Sequence, residues 1–334
     1  MRAVVLVGGF GTRLRPLTYS VPKPMLPVGH VAIIERLVAN LVRGGVTDVT
    51  LALGFKPEPF LDAFPDGTCA GAVLHYAVEP EPLDTAGAIR FAADATGIDD
   101  TFVVANGDIL TDLDIAALVD FHRARGAEAT LHLIAVDDPS AFGVVALDDT
   151  GLIERFVEKP APGTAPSNFI NAGTYVLEPS VLARIPTGRK VSIERVTFPS
   201  IVDDRRVFGW ATDDYWIDTG KPDLYLQANL DLVTGARDGA DCAPVDAGAH
   251  VSTDAVVVDS VIDGGATVDA GARVERSVLL AGSSVAGGAV VRGSIVMGRV
   301  CSGASVVDSV IGADAVVDTD EVLVGVRRPD PDAG

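Results

Sequence analysis

From Val245 to Val317 aliphatic residues return every six positions, in the groups Val245, Val251, Val257; Ile262, Val268, Val274; Leu279, Val285, Val291; Val300, Val306; and Ile311, Val317. Serine-aliphatic-aliphatic tripeptides beginning at Ser260, Ser277, Ser294 and Ser309 separate the groups, at spacings of 17, 17 and 15 residues. This is the grammar of a parallel β-helix built from hexapeptides. Each hexad makes one flat side with its aliphatic residue pointing inward, and Gly, Ala and Asp fill the corners where bulkier side chains do not fit. A core of stacked valines needs few rings, in keeping with an aromatic content of only 6%.

The first 230 or so residues follow a different rule. Strand-like and helix-like patterns alternate there, as in an α/β sheet with crossover helices. Arg2–Val7 is a continuous apolar run ending in glycines, hence a buried parallel strand. His30–Val42 places Ile33, Ile34, Leu37, Val38, Leu41 and Val42 on one helical face, and Gly44-Gly45 stops it. Asp48–Leu53, Ala72–Val78 and Thr101–Asn106 read as strands, and Asp84–Ala95, Asp114–Arg125 and Pro222–Val233 as helices. Between 128 and 177 successive short strands suggest an antiparallel or mixed extension with a turn at Asp148–Gly151. At 334 residues two domains are expected: a catalytic part over 1–233, a link over 234–243, the β-helix over 244–322 and a tail over 323–334.

The formal charge is −20. An acidic surface of that size repels phosphate backbones, so nucleic acid and anionic membrane are excluded as partners. No apolar run reaches the roughly 20 residues of a membrane helix. Cys69, Cys242 and Cys301 lie far apart without metal or disulfide spacing, and no leader pattern opens the chain; a cytoplasmic protein with reduced thiols is expected. An anionic substrate remains open if a local cluster of cations and metal reverses the sign in one cleft.

Such a cluster stands at the start of the chain. The first strand feeds Gly8-Gly9-Phe10-Gly11-Thr12-Arg13-Leu14-Arg15-Pro16-Leu17-Thr18, followed by Pro22-Lys23-Pro24. A strand running into a glycine loop exposes N–H groups that wrap a phosphate or a base edge. A dinucleotide fingerprint beginning at Gly9 would need glycine where Leu14 stands, and a Walker loop would need a Gly-Lys-Ser/Thr triplet, which is absent. What remains is a glycine loop with Arg13, Arg15 and Lys23. The prolines on both sides of Lys23 fix its backbone. Asp108 and Asp218 each follow an apolar strand-like run, and open α/β sheets place ligands at strand ends.

This run resembles the signature of sugar-phosphate nucleotidyltransferases and, within them, is most similar to the mannose-1-phosphate guanylyltransferases. Further matches follow in the family's order: Glu81-Pro82-Leu83-Asp84-Thr85-Ala86-Gly87, Asn106-Gly107-Asp108, Phe142-Gly143-Val144-Val145, Phe156-Val157-Glu158-Lys159-Pro160, Ile170-Asn171-Ala172-Gly173 and Trp216-Ile217-Asp218-Thr219-Gly220-Lys221-Pro222. The resemblance implies a Rossmann-like, GT-A-like catalytic domain with a mixed sheet, followed by a left-handed parallel β-helix. It implies that Arg13 and Lys23 touch nucleotide phosphates, and that Leu6, Gly8, Gly9, Gly11, Thr12, Thr85, Gly87, Asn106 and Asp108 complete the nucleotide site. Gly143, Glu158, Lys159, Asn171 and Gly173 fall to the sugar phosphate, and Asp108 and Asp218 to Mg²⁺. A carboxylate and an amide suit vicinal hydroxyls, a lysine suits the sugar's phosphate, and two carboxylates suit a hard cation.

The implied reaction condenses a nucleoside triphosphate with a sugar-1-phosphate by in-line attack on the α-phosphorus. GTP is favoured over thymidine or uridine triphosphate, and mannose-1-phosphate over glucose-1-phosphate or a cyclitol phosphate. The usual family loop has glycine where Asp84 stands, and that aspartate reads either as a helix cap or as an acceptor for guanine N–H groups. Arg15 pairs with phosphate or with an acidic neighbour. A silent regulatory subunit would be expected to lose Arg13, Lys23, Asp108 or Asp218, and all four are present. Acyl transfer on the β-helix would need a histidine base, and the only histidine there is His250 near its first coil. The β-helix therefore reads as a scaffold for a homo-oligomer.

Overall fold

In the computed structural model, residues 1–54, 57–237 and 242–331 are described, so the middle of the expected 234–243 link and the last residues of the expected 323–334 tail lie outside the described residues. Contacts group the chain into two units that interleave in sequence. One holds Met1–Gly9 with Ile34–Trp216, the other Phe10–Ile33 with Ile217–Gly334.

The first unit is built on a ten-stranded mixed sheet. Its strands are β1 (Arg2–Leu6), β2 (Asp48–Leu53), β3 (Ala72–Val78), β4 (Phe102–Asn106), β5 (Ala129–Ala135), β6 (Gly143–Leu147), β7 (Ile153–Glu158), β8 (Phe169–Leu177) and β9 (Val207–Thr212), with Thr68–Cys69 at one edge. The order runs β7-β6-β8-β4-β1-β2-β3, and β5 joins β8 to β9. β1 lies between two parallel neighbours, β2 and β4, which explains its unbroken apolar run: both faces of Ala3, Val4 and Val5 are covered. β8 turns the sheet antiparallel against β4, β5 and β6. The expected extension over 128–177 is this antiparallel part, with Gly151 N–H closing the Asp148 turn at 3.0 Å.

Helices α1 (Ile33–Arg43), α2 (Asp84–Thr96) and α3 (Ile115–Arg125) follow the expected pattern, and Asp114 caps α3 by accepting from Ala117 N–H at 3.0 Å. The most displaced helix boundary is instructive. α1 starts at Ile33 rather than His30, because Val31–Ala32 pairs with Pro27–Val28 in a short hairpin. Gly29 (φ 56°) and His30 (φ 70°) form its turn, and two successive left-handed residues make the tight hairpin connection that a right-twisted ribbon requires.

In the second unit α4 (Pro222–Thr234) precedes the β-helix. Fifteen short strands stack into three five-stranded parallel sheets, one for each flat side, as the left-handed form requires. Ile262, Val268, Val274, Leu279, Val285, Val291, Val300, Val306, Ile311 and Val317 are all fully or almost fully buried inside it. The serines between the groups carry a second column. Ser260, Ser277, Ser294 and Ser309 are buried. Each hydroxyl donates to the carbonyl two residues earlier, at 2.7 Å, and accepts an N–H from the next coil, at 3.0–3.1 Å. The residue before each serine is left-handed (Asp259, Arg276, Gly293, Asp308), so the corner bends sharply and the hydroxyl replaces the backbone partner lost there. Ser277→Ala should therefore cost about 1–3 kcal/mol, the penalty of orphaning the buried N–H of Ser294. Chemical denaturation of the variant checks this.

Candidate functional site

Candidate residues fall into two groups, one in each unit. In the sheet unit, Leu6 ends β1 opposite Asn106 at the end of β4, and Gly8 and Gly9 follow as exposed backbone. Asp108 lies half-buried just past β4. Gly173 packs against Asn106 so closely that a Cβ there would stand 2.7 Å from Asn106 Nδ2, and its φ of 82° already demands glycine. The cause is a register shift in β8 between Asn171 and Tyr175. Within it Asn171 Oδ1 accepts from Gly173 N–H at 3.1 Å, and Asn171 Nδ2 donates to Tyr175 Oη at 3.1 Å. Asn171 is thus held in one orientation. Tyr175, fully buried and packed edge-on against Phe198, has its hydroxyl pushed far up by burial.

Glu158 closes β7 directly opposite Gly143 on β6, and its Oε2 would lie 3.1 Å from a Cβ at that glycine. Burial, first of all, raises the Glu158 carboxyl above the ordinary glutamate range; Lys159 pulls it back down, and the negative charge of Glu194 pushes it further up. Lys159 Nζ is 3.5 Å from Glu158 Oε1, with the lysine largely exposed.

The loop from Glu79 to Gly87 is fastened from both ends. Glu79, only 8% exposed, accepts Leu83 N–H at 2.8 Å, and burial raises its carboxyl. Thr85 Oγ1 donates to Glu194 Oε2 at 2.8 Å and accepts Ile193 N–H at 2.8 Å, while Ala86 and Gly87 N–H groups donate to Val191 carbonyl. A Cβ at Gly87 would lie 2.5 Å from the Arg189 carbonyl. Thr85 and Gly87 therefore shape the loop that the resemblance assigns to the base. Asp84 adopts φ 61°, the conformation for which glycine is the usual residue, and its Oδ1 accepts from the next N–H, that of Thr85. Its place is that of a short polar residue tolerating a left-handed backbone, not of a cap one turn deep. Glu79 and Glu194 were missed in the sequence. Only the partners that fold brings to them reveal their part.

In the second unit, segment Phe10–Ile33 is a chain of tight turns, Thr12–Leu14, Leu17–Tyr19 and Lys23–Met25, anchored by the fully buried Leu14, Leu17 and Leu26. Gly11 carbonyl accepts Thr18 Oγ1 at 2.8 Å and Leu14 N–H at 2.9 Å, which closes the first turn. Thr12 and Arg13 stay exposed, and Arg15 stacks on the Tyr19 ring at 5.2 Å rather than on an acidic neighbour. Lys23 is only 7% exposed, and its Nζ stands 3.6 Å from Asp218 Oδ1. Asp218 Oδ1 also accepts Gly220 N–H at 2.8 Å. A Cβ on Gly220 would fall 2.7 Å from an Arg13 guanidinium nitrogen, 2.8 Å from Asp218 Oδ1 and 3.0 Å from Lys23 Nζ. Arg13, Lys23 and Asp218, distant in sequence, thus converge on one glycine.

The end of the same segment is held by a buried polar set. Gly29 N–H donates to Asn229 at 3.0 Å, Tyr225 Oη to Pro27 carbonyl, and His30 bridges Asp263 Oδ1 at 2.6 Å and Ala243 carbonyl at 2.8 Å.

The family described as nucleotidyl transferase matches residues 2–235. The chain is 43% identical over 235 residues to a mannose-1-phosphate guanylyltransferase of Mycobacterium tuberculosis, covering 70% of this chain and 65% of that protein. It is 42% identical over 241 residues to a mannose-1-phosphate guanyltransferase of Schizosaccharomyces pombe, covering 71% and 66%. The chain thus spans slightly under two thirds of either relative. Among solved structures it resembles HddC from Yersinia pseudotuberculosis complexed with GMP-PN, with a TM-score of 0.58 and 28% identity over 68% of this chain and 97% of that one.

Gly220→Ala tests the convergence. The atoms it would meet are the ends of flexible side chains, so thermal stability should change little while turnover falls on the order of a hundredfold through their displacement. Paired melting curves and steady-state rates read both.

Proposed function

This chain belongs to the nucleotidyl transferase family, and we propose that it condenses GTP with mannose-1-phosphate to give GDP-mannose and pyrophosphate. An oxygen of the sugar phosphate attacks the α-phosphorus in line; the new P–O bond forms as the bond from the α-phosphorus to the bridging oxygen breaks, and pyrophosphate leaves with that electron pair. No protein nucleophile is needed, only alignment and neutralisation of the growing charge. The observation that carries this reading is the set of Arg13, Lys23 and Asp218 around Gly220. A buried lysine paired with a carboxylate, with an arginine beside it, suits a triphosphate and wastes little reorganisation on meeting it. The guanine and mannose assignments rest on the guanylyltransferase relatives.

Glu158, Asn171 and Lys159 are the residues we assign to the sugar phosphate, with Gly143 and Gly173 letting the ring approach the backbone. Leu6, Gly8, Gly9, Gly11, Thr12 and Asn106 line the nucleotide's path in this reading, and the loop from Glu79 to Gly87 receives the base. Mg²⁺ fits the donor chemistry: Asp108 and Asp218 offer hard carboxylate oxygens, and this ion usually takes one or two of these with substrate phosphates and water. Among the described residues no group of three or more His, Cys, Asp or Glu forms a cage, and none is required. Held by these carboxylates, the ion would supply charge neutralisation on the triphosphate.

Catalysis is favoured over a regulatory role because Lys23, Asp218 and Arg13 are not merely present but packed together. His250, exposed on the first strand of the β-helix, gives no support to acyl transfer. No helix of the described residues is long and apolar enough to cross a membrane. We propose that the β-helix also mediates homo-oligomerisation, since Val256, Val258, Val322 and Val324 are exposed on its first and last strands of one side.

Pyrophosphate release from a matrix of nucleoside triphosphates against sugar-1-phosphates tests the substrate pair, with GTP and mannose-1-phosphate expected to give the highest kcat/KM. Asp108→Asn and Asp218→Asn should each abolish turnover in folded protein; rates matching the parent in either would remove the metal assignment. Because burial raises the Glu158 carboxyl, its negative charge is lost at a higher pH than an ordinary glutamate's as the solution is acidified. The sugar-phosphate KM should therefore climb on acidification through that raised value. Glu158→Gln should show a KM roughly ten- to hundredfold higher with that pH dependence gone.

A further inference from the structure

Arg13 is placed by two contacts. Its guanidinium lies beside the position of Gly220, while its carbonyl oxygen accepts a hydrogen bond from Arg327 Nη1 at 3.0 Å. Arg327 begins the last strand of the β-helix, Arg327–Arg328, which pairs in parallel with Val310–Ile311. That strand is well secured. Arg328 points to the opposite side and forms a two-pronged pair with Glu321, at 2.8 and 2.5 Å, besides donating to Val316 carbonyl at 3.0 Å. The guanidinium of Arg328 holds the Glu321 carboxyl at about 2, far below the usual range. Strand alternation then leaves Arg327 facing the turn that carries Arg13.

A second contact lies beside the first. Gly312 N–H donates to Arg328 carbonyl at 2.7 Å, and a Cβ at Gly312 would stand 2.9 Å from Pro16 Cβ. The corner of the fourth coil therefore supports the backbone three residues past Arg13 at a separation that only glycine allows. Two points of one loop, the carbonyl of residue 13 and the ring of residue 16, rest on adjacent parts of the final coils.

We propose that Arg327 is a positioning residue for the nucleotide: through the Arg13 carbonyl it fixes the turn that aims Arg13, which makes the end of the β-helix part of the reaction machinery rather than only a scaffold. The proposal rests on the reading of Arg13 as a triphosphate contact.

The test compares the full-length parent with Arg327→Ala, Arg327→Lys and Arg327→Gln in two measurements. Steady-state pyrophosphate release, varied in GTP at saturating mannose-1-phosphate and the reverse, should show kcat/KM for GTP falling about three- to tenfold in Arg327→Ala, the range of one net hydrogen bond. KM for mannose-1-phosphate and the melting temperature should stay at parental values. Lysine and glutamine, which retain a donor, should recover part of the loss. Hydrogen–deuterium exchange should quicken in peptides covering residues 11–18 of Arg327→Ala and not in those covering the sheet unit. Unchanged exchange there would overturn the proposal whatever the rates show, and so would faster exchange with a parental kcat/KM for GTP. A parent inert toward every substrate pair would instead remove the transferase reading, while the exchange comparison still reports on the tether.

Discussion

An ammonium group withdrawn from water costs several kcal/mol unless a carboxylate compensates it, and the segment from Phe10 to Ile33 is organised around one such compensation. Lys23 is nearly buried, and Asp218 stands beside it. Asp218 is in turn oriented by Gly220 N–H, and the absence of a side chain on Gly220 admits Arg13 to the same spot. Remove the carboxylate and the lysine loses that compensation. Add a methyl group at residue 220 and the two cations are driven apart. The buried leucines of the segment, 14, 17 and 26, supply the apolar anchoring that lets so polar a cluster persist.

The sheet unit solves a different problem, that of holding hydrogen-bonding groups in fixed directions. It does so with irregularities rather than regular strands. The β8 register shift turns Asn171 against Tyr175, a left-handed Asp84 opens α2, and the carboxylates of Glu79 and Glu194 tie the loop between them. Each irregularity is satisfied by a specific partner, so the loop is held in one arrangement.

These particulars mark where sequence reading succeeds and where it stops. The β-helix was legible because its period is imposed by a core that repeats, and the buried column Ile262, Leu279, Ile311 follows directly from residue type. β1 was legible because a strand covered on both faces must be apolar throughout. The start of α1 was not, because the hairpin turn at Gly29 and His30 depends on His30 accepting φ 70°, which its partners Asp263 and Ala243 stabilise from more than two hundred residues away. Glu194 was invisible for the same reason: nothing local distinguishes it from a solvated surface charge until Thr85 and Ser192 are brought to it. Arg13 and Lys23 stand out in a pattern of cations among glycines and prolines, but their common neighbour, Gly220, required three dimensions.

The serine column has a consequence for how the solenoid comes apart. Every hydroxyl in it donates within its own coil and receives from the coil that follows, so the dipoles line up in one sense from Ser260 to the N–H of Val326. Aligned bonds strengthen one another, and a coil in the middle gains from both neighbours while the terminal one gains from a single side. Melting of such a stack spreads along its bonded column, and the strand bearing Arg327 follows the last N–H of that column, Val326. The loop that holds Arg13 is thereby coupled to that column, which makes the order of the loop a gauge of the whole column's integrity.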